Sequence, residues 1–333
     1  MTRRGIVLAG TVILDIVNIV DHWPAEETVA IIQRTEHGAG GPPHNAAAGL
    51  VKLGAPFPVT LLGATGDDAY GAILRARAGD LGLETSGLKT VPGAVTSHTI
   101  VMSSAASGRR TFFHQAGVNA TLQVSDLLPG ESTARLFYVG APGIAEGLDH
   151  SGGWPKLLQA GRARGMQTCL ELVSVAPDVI QRLVLPCLPH CDYLVVNDLE
   201  ASAITGIPTS HDESFDWEAA ARACRRLLAL GVARLAAIHH PEGAVAVASD
   251  GTAARRGAVN VPPYDIAGSV GAGDAFYAGM IFGIHEGWTL ERCLDLANAA
   301  AATSLQSPTT SASIRRWDAC LTYAQTHGVR SIE

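Results

Sequence analysis

The chain has 333 residues, 47% hydrophobic and 17% charged, which suits one large α/β domain or two smaller ones and excludes wholesale disorder. Its net charge is −7 with no lysine or arginine run, so neither nucleic acid nor an anionic membrane is expected as a partner. No apolar stretch reaches membrane-spanning length, and six scattered cysteines (Cys169, Cys187, Cys191, Cys224, Cys293, Cys320) suit a reduced, cytoplasmic protein.

In chain order, GIVLAG (5–10) reads as a short buried strand, too short for the core of a secretory signal. IVNIVDHW and TVAIIQRT flank the turn-prone PAEE and predict a hairpin. GAGGPPHNAAAGLVKLG (38–54) predicts a helix: Pro42 and Pro43 suit its first turn and Gly54 closes it. VTLLGATGDDAYG then reads as strand, loop and helix start, with Asp67 and Asp68 as helix-start carboxylates. SHTIVMS and RRTFFHQ flank SAASG in a second hairpin. From ARLFYVG to GAVAVAS, strand and helix patterns alternate. This predicts an α/β fold with a doubly wound, mainly parallel sheet and helices on both faces. The hairpins, about residues 16–37 and 97–115, break that rhythm and are expected as an appendage to one domain spanning residues 1–333.

Several chemistries are absent from the pattern. The only lysines are Lys52, Lys89 and Lys156, none in a P-loop context, and neither H-E-x-x-H nor G-x-S-x-G occurs. CLPHCD offers Cys187, His190 and Cys191 but no second pair for zinc, so it reads as a helix end with buried thiols. GIVLAGTVILD lacks the G-x-G-x-x-G of a dinucleotide site.

The stretch AGSVGAGDAF (267–276) has two readings. Gly271, Ala272 and Gly273 precede a helix expected from about Asp274 to His285, where unpaired N–H groups and the helix dipole favour an anion. Asp274 at that end is a weak base, suited to a proton that turns acidic as a hydroxyl attacks phosphorus. The other reading is an ordinary helix cap. A second constellation favours the first reading. Gly40, Gly41 and Asn45 lie at another helix start, and Asp15 is expected just beyond a strand's C-terminal end, where open α/β sheets bind ligands.

These residues carry a resemblance over essentially the whole chain. GAGGPPHNAAAGLVKLG with GATGDDAYG, and SVGAGDAFYAG, resemble the two signatures of the PfkB family of carbohydrate kinases, in the ribokinase-like superfamily. VVNDLEASAITG resembles the family's N-x-x-E segment, with Asn197 and Glu200. The resemblance implies a small β lid and Mg²⁺-dependent phosphoryl transfer from ATP to a sugar-like alcohol. It assigns Asp274 as base and Gly271, Ala272 and Gly273 as anion hole. Asp15, Gly40, Gly41 and Asn45 would hold the sugar, with Arg109 or Arg110 and Asn119 near the lid. Asn197 and Glu200 would lie near Mg²⁺ and the phosphates, Glu200 as the metal-side carboxylate. Gly243, Ser269 and Asn298 would line the nucleotide side. Asn18, Gln33 and His98 are further lid candidates, although periodicity leaves their facing open. Exposed lid edges suggest a homodimer.

The chain also departs from the family. Gly268, Ser269 and Val270 stand where an acid and two threonines are usual, which leaves activation by a monovalent cation open. IHHPEG replaces T-x-G-x-x-G, with Ile238 and His240 in the Thr and Gly places. LELVS, with Glu171, replaces a strand end of the Asp-x-Asn type. A sugar kinase is the leading expectation. A nucleoside kinase of the same superfamily is the second, and a ligand-binding or regulatory protein on a kinase fold the third.

Overall fold

In the computed structural model, which describes residues 3–105, 110–212, 214–307 and 309–332, the first apolar run forms β1 (Ile6–Gly10), buried throughout. Two longer strands follow, β2 (Ile13–Val20) and β3 (Ile32–Gly40), then α1 (Pro42–Lys52), β4 (Val59–Gly66) and α2 (Ala69–Asp80). Next come β5 (Leu88–Val91), β6 (His98–Ser104), β7 (Arg110–Gln115) and β8 (Leu136–Gly140). Helices and strands then alternate: α3 (Glu146–Ser151), α4 (Gly153–Ala163), β9 (Gln167–Leu170), α5 (Pro177–Val184), β10 (Tyr193–Asn197) and α6 (Asp198–Thr205). The small hairpin β11 (Ser210–His211) and β12 (Ser214–Phe215) leads to α7 (Trp217–Ala229), β13 (Leu235–His240), β14 (Gly243–Ala248) and β15 (Ala253–Gly257). After these come α8 (Ala272–Glu286), α9 (Leu290–Ser304) and α10 (Trp317–His327).

The large sheet has the order β15-β14-β13-β10-β9-β8-β1-β4-β5 and is parallel from β13 to β5. Strands buried on both faces explain the continuous apolar runs. Ile6 and Leu8 pack with Leu50 of α1, Phe276 of α8 and Leu294 of α9. The alternate residues Val7 and Ala9 pack on the other face with Trp154 of α4 and Leu227 of α7. The sheet's carboxyl ends are thereby left open between two helical layers.

Above those ends lies a separate sheet of order β3-β2-β6-β7, the lid. Each hairpin is antiparallel, and the two join through a parallel β2–β6 pair. The lid strands reach further than the expected spans, β2 starting at Ile13 and β3 ending at Gly40. Asp15 thus lies past the carboxyl end of β1, as expected, but inside a lid strand, with Gly38 opposite it on β3 and Thr99 beside it on β6. Pattern reading also left out β5, β15 and α10, because β5 is four residues long and β15 carries Arg255 and Arg256. Cys187 lies in a 3₁₀ turn, Leu185–His190, that follows α5, Cys191 comes directly after it, and both thiols are buried, as a helix-end reading implies. Asp68 caps α2 by accepting from Gly71 N at 2.8 Å. Among the described residues no helix is long and apolar enough to cross a membrane.

Candidate active site

Gly271 adopts φ +79°, a left-handed turn that glycine allows, and so swings the chain into α8 two residues earlier than expected, at Ala272. The first-turn N–H groups of a helix lack intrahelical acceptors. Gly271, Gly273 and Asp274 line a cavity of ≈ 610 Å³ between the sheet's carboxyl ends and the lid, and Gly41, Asn197 and Glu200 line it with them. A Cβ on Gly271 would lie 2.6 Å from Thr310 Cβ. The Gly271→Ala variant is therefore expected to lose about 1–3 kcal/mol of stability and, with the α8 entrance displaced, roughly tenfold or more in turnover. Thermal denaturation and rate measurements on the purified variant check both.

Asp274 is fixed from the side. Asn45 Nδ2 donates to Asp274 Oδ2 at 2.7 Å, and Asn45 Oδ1 accepts from Thr310 Oγ1 at 3.0 Å. Asn45 is thus occupied in holding a carboxylate, and only its second amide proton is left for a ligand. Burial raises the Asp274 pKa, while the bonds from Asn45 and Glu171 pull it back. Glu171 stands behind Asp274, buried, accepting a hydrogen bond from Tyr138 Oη. Burial, and next the charge of Asp274, push the Glu171 pKa well above its ordinary value. Of this pair Glu171 is the carboxyl that keeps a proton. The LELVS departure thus sets a second carboxyl against the first.

Asp15 lines a small adjoining cavity that shares Phe112 and Val270 with the large one. Burial, then the charge of Asp274, raise its pKa to about 7, and a hydrogen bond with Thr99 opposes this. Thr99 Oγ1 in turn bonds His114 Nδ1 at 3.0 Å, so Asp15, Thr99 and His114 form a polar row across β2, β6 and β7. Gly40 belongs to this arrangement sterically: a Cβ there would sit 2.3 Å from Asp15 Oδ2.

Asn197 and Glu200 cap α6 reciprocally. Glu200 N donates to Asn197 Oδ1 at 2.8 Å and Asn197 N donates to Glu200 Oε2 at 3.0 Å. Ser174 Oγ donates to Glu200 Oε1 at 3.1 Å, and burial raises the Glu200 pKa. The remaining expected residues lie elsewhere. Asn119 is buried beneath the β1–β2 connection, donating to Val12 O at 3.1 Å. Gly243 opens β14 at φ +152°, where a Cβ would meet Arg256 O at 2.3 Å. Asn298 donates to Gly257 O at 3.1 Å and lines a different cavity of ≈ 350 Å³. Ser269 is exposed on the loop before α8. Arg109 lies outside the described residues. On the lid, Asn18 is buried and bonded to Thr35, Gln33 is exposed, and His98 packs its ring on Tyr70.

Sequence reasoning missed His239 and Thr310. His239 lines the large cavity, and a Cβ on Gly273 would come within 3.4 Å of its ring. Burial lowers its pKa to about 4, so it is a neutral imidazole beside the helix start. The unusual IHHPEG marked this segment, but it drew attention to His240, which stacks on Phe215 instead.

The large cavity is acidic. Glu171, Glu200 and Asp274 line it, with no lysine or arginine among the described lining residues. A polyphosphate entering it would be repelled unless a cation came with it. Hard carboxylate oxygens suit a small divalent ion. Among the described residues no cluster of three or more His, Cys, Asp or Glu would hold a metal alone. Such an ion would take its other oxygens from phosphate and water.

Comparison with known proteins agrees along nearly the whole chain. The family model described as pfkB family carbohydrate kinase matches residues 3–317. A ribokinase of Arabidopsis thaliana is 24% identical over 303 residues, covering 90% of this chain and 76% of that protein. The solved structure of Arabidopsis thaliana ribokinase complexed with ribose and ATP is similar at TM-score 0.80 and 22% identity, covering 98% of this chain and 99% of that one. A Burkholderia thailandensis nucleoside kinase in complex with inosine gives TM-score 0.72 at 18% identity, covering 98% of this chain and 100% of that one.

Proposed function

The chain belongs to the pfkB family of carbohydrate kinases, and from that premise we propose that it transfers the γ-phosphoryl group of ATP to a hydroxyl of a sugar or sugar-like alcohol. One observation carries this reading: Asp274, held by Asn45 at 2.7 Å, stands at the start of α8 in the cavity that Gly271 and Gly273 also line. The base and the site for phosphoryl charge are adjacent, as in-line transfer requires.

The acceptor hydroxyl docks between the lid and α8, with Asp15 accepting from neighbouring hydroxyls. Asp274 takes the acceptor proton as the oxygen bonds to phosphorus. The N–H groups at Gly271 and Gly273 hold the charge spread over the phosphoryl oxygens, while the Ala272 N–H, expected to join them, points to Ser269 O at 3.4 Å. Glu171, keeping its own proton, donates to Asp274 and fixes its orientation. Glu200, with Asn197 beside it, would hold Mg²⁺, which when bound neutralises phosphate charge. The lid excludes water, which would otherwise take the phosphoryl group. Exposed Ile32, Ile100 and Phe113 on that sheet fit a lid-mediated homodimer.

A nucleoside acceptor is the second reading. Phe112 favours it, an exposed ring at both cavities on which a base would stack. The test is ADP release from ATP and Mg²⁺ across a panel of sugars and nucleosides. Turnover on a sugar is the expected result, and turnover on nucleosides alone selects the second reading. Tight ligand binding by calorimetry with no ADP above background on any acceptor would mark a binding protein instead.

A further inference from the structure

Phe112 and His114 share one face of β7, as alternate residues of a strand do, and both line the large cavity. His114 Nδ1 lies 3.0 Å from Thr99 Oγ1, and Asp15 decides which of the two atoms holds the proton between them. Asp15 stands beside Thr99 in the β2–β6 register, and the Thr99 hydroxyl bonds its carboxylate. A carboxylate only accepts, and a hydroxyl has one proton to give. With that proton on Asp15, the Thr99 oxygen accepts from His114, so Nδ1 carries the ring hydrogen. In a neutral imidazole the other nitrogen is then bare. Burial, and next the neighbouring His98, lower the His114 pKa, which keeps the ring neutral. Nε2 has no hydrogen-bond partner among the described residues, and the side chain is exposed at the cavity wall.

The row therefore ends in a hydrogen-bond acceptor on each side, a carboxylate on β2 and a bare imidazole nitrogen on β7. Neighbouring strands lie about 4.8 Å apart, so the two ends stand on backbones roughly 10 Å apart. That is wider than one pair of vicinal hydroxyls, and a molecule held by Asp15 meets His114 with a different group. Phe112, which lines both cavities, offers that part of the molecule an apolar surface. Building on the kinase reading, we propose that His114 is a specificity residue, whose Nε2 accepts a hydrogen bond from a hydroxyl or N–H of the acceptor remote from the hydroxyls on Asp15. The site thus selects for a donor at that place. An anomeric hydroxyl and a ring N–H of a nucleobase are two sources of that one chemistry.

Asparagine and glutamine tell the two ends of the ring apart. His114→Asn sets its amide near the place of Nδ1 and keeps the bond to Thr99, but falls short of Nε2. His114→Gln reaches the place of Nε2 with its amide oxygen. The test measures dissociation constants by calorimetry on the full chain and its variants, with ribose and inosine as probes. For the probe that the wild type binds more tightly, His114→Leu and His114→Asn should raise the constant about tenfold, the size of one hydrogen bond, and His114→Gln should return it to within about threefold of wild type. A role confined to holding the lid together would give the reverse order, since asparagine keeps the Thr99 bond. That reverse order, one constant in all the proteins, or a wild type that binds neither probe would overturn the proposal. A larger effect of His114→Leu on inosine than on ribose identifies the base N–H as the donor, and the opposite identifies the anomeric hydroxyl. A second arm reads the ring itself, by long-range ¹H–¹⁵N correlation on the chain labelled with ¹⁵N-histidine at about pH 8.5, above the Asp15 pKa of about 7. The His114 signals are assigned by their loss in His114→Gln. A protonated Nδ1 and a bare Nε2 are expected, with the Nε2 signal moving as the probe saturates. A proton on Nε2 in the free protein, or an Nε2 signal that the bound probe leaves unmoved, overturns the proposal. Absence of ADP release from ATP with either probe overturns the kinase reading alone, since binding and the His114 signals need no turnover.

Discussion

Asp274→Asn is expected to fold, bind acceptor and lose turnover by about 10²- to 10⁴-fold, the range for removing a general base. The amide has the shape of the carboxylate and can still accept from Asn45 Nδ2. Burial already raises the Asp274 pKa, so the fold disfavours its charge, and a neutral amide should leave the melting temperature equal or slightly higher. Proton abstraction occurs only on the way to the transition state. The variant should therefore lose kcat and kcat/KM together while the acceptor dissociation constant hardly moves. Rate measurements beside calorimetric acceptor binding make the check. Wild-type-like turnover would remove Asp274 from the reaction, and loss of acceptor binding alone would make it a binding group.

Much of this site was readable before any coordinates, because parts of it are local. The GAGD helix start and the GG-to-Asn45 helix start are each a few consecutive residues whose backbone demands are written in glycine. What joins them is not local. The Asn45–Asp274 bond spans 229 residues and the Thr310–Asn45 bond 265, and no periodicity encodes either. The same holds for the lid. Alternation predicts each hairpin, but the parallel β2–β6 pairing that aligns Asp15 with Thr99 depends on which edges meet. Buried polar residues show the opposite failure. Asn298 was conspicuous among alanines, and its amide is used on the backbone carbonyl of Gly257, a packing need that composition cannot tell from ligand binding.

Asp15→Asn should separate binding from chemistry in the opposite sense. Its carboxylate offers two acceptors for vicinal hydroxyls, and hydrogen bonds to a charged group are worth about 1.5–3 kcal/mol each. Acceptor KM is therefore expected to rise roughly 10²-fold, with kcat reduced much less. The pH dependence gives the sharper check. Burial and the Asp274 charge raise Asp15 from 3.8 to about 7. The ionised form is the one that accepts from sugar hydroxyls, so wild-type KM should rise as pH falls through about 7. Stability runs the other way. A carboxyl whose folded pKa is raised contributes fully below its unfolded value of 3.8, and that contribution is lost as pH rises through about 7. Between those limits the free protein should thus lose stability as its affinity for acceptor improves. In Asp15→Asn both trends should flatten over the same window. KM profiles and melting temperatures from pH 5 to pH 8.5 test the pair. A wild-type KM that stays level across pH 7, or a variant that keeps the wild-type slope, would assign the titration to another group and take Asp15 out of acceptor binding.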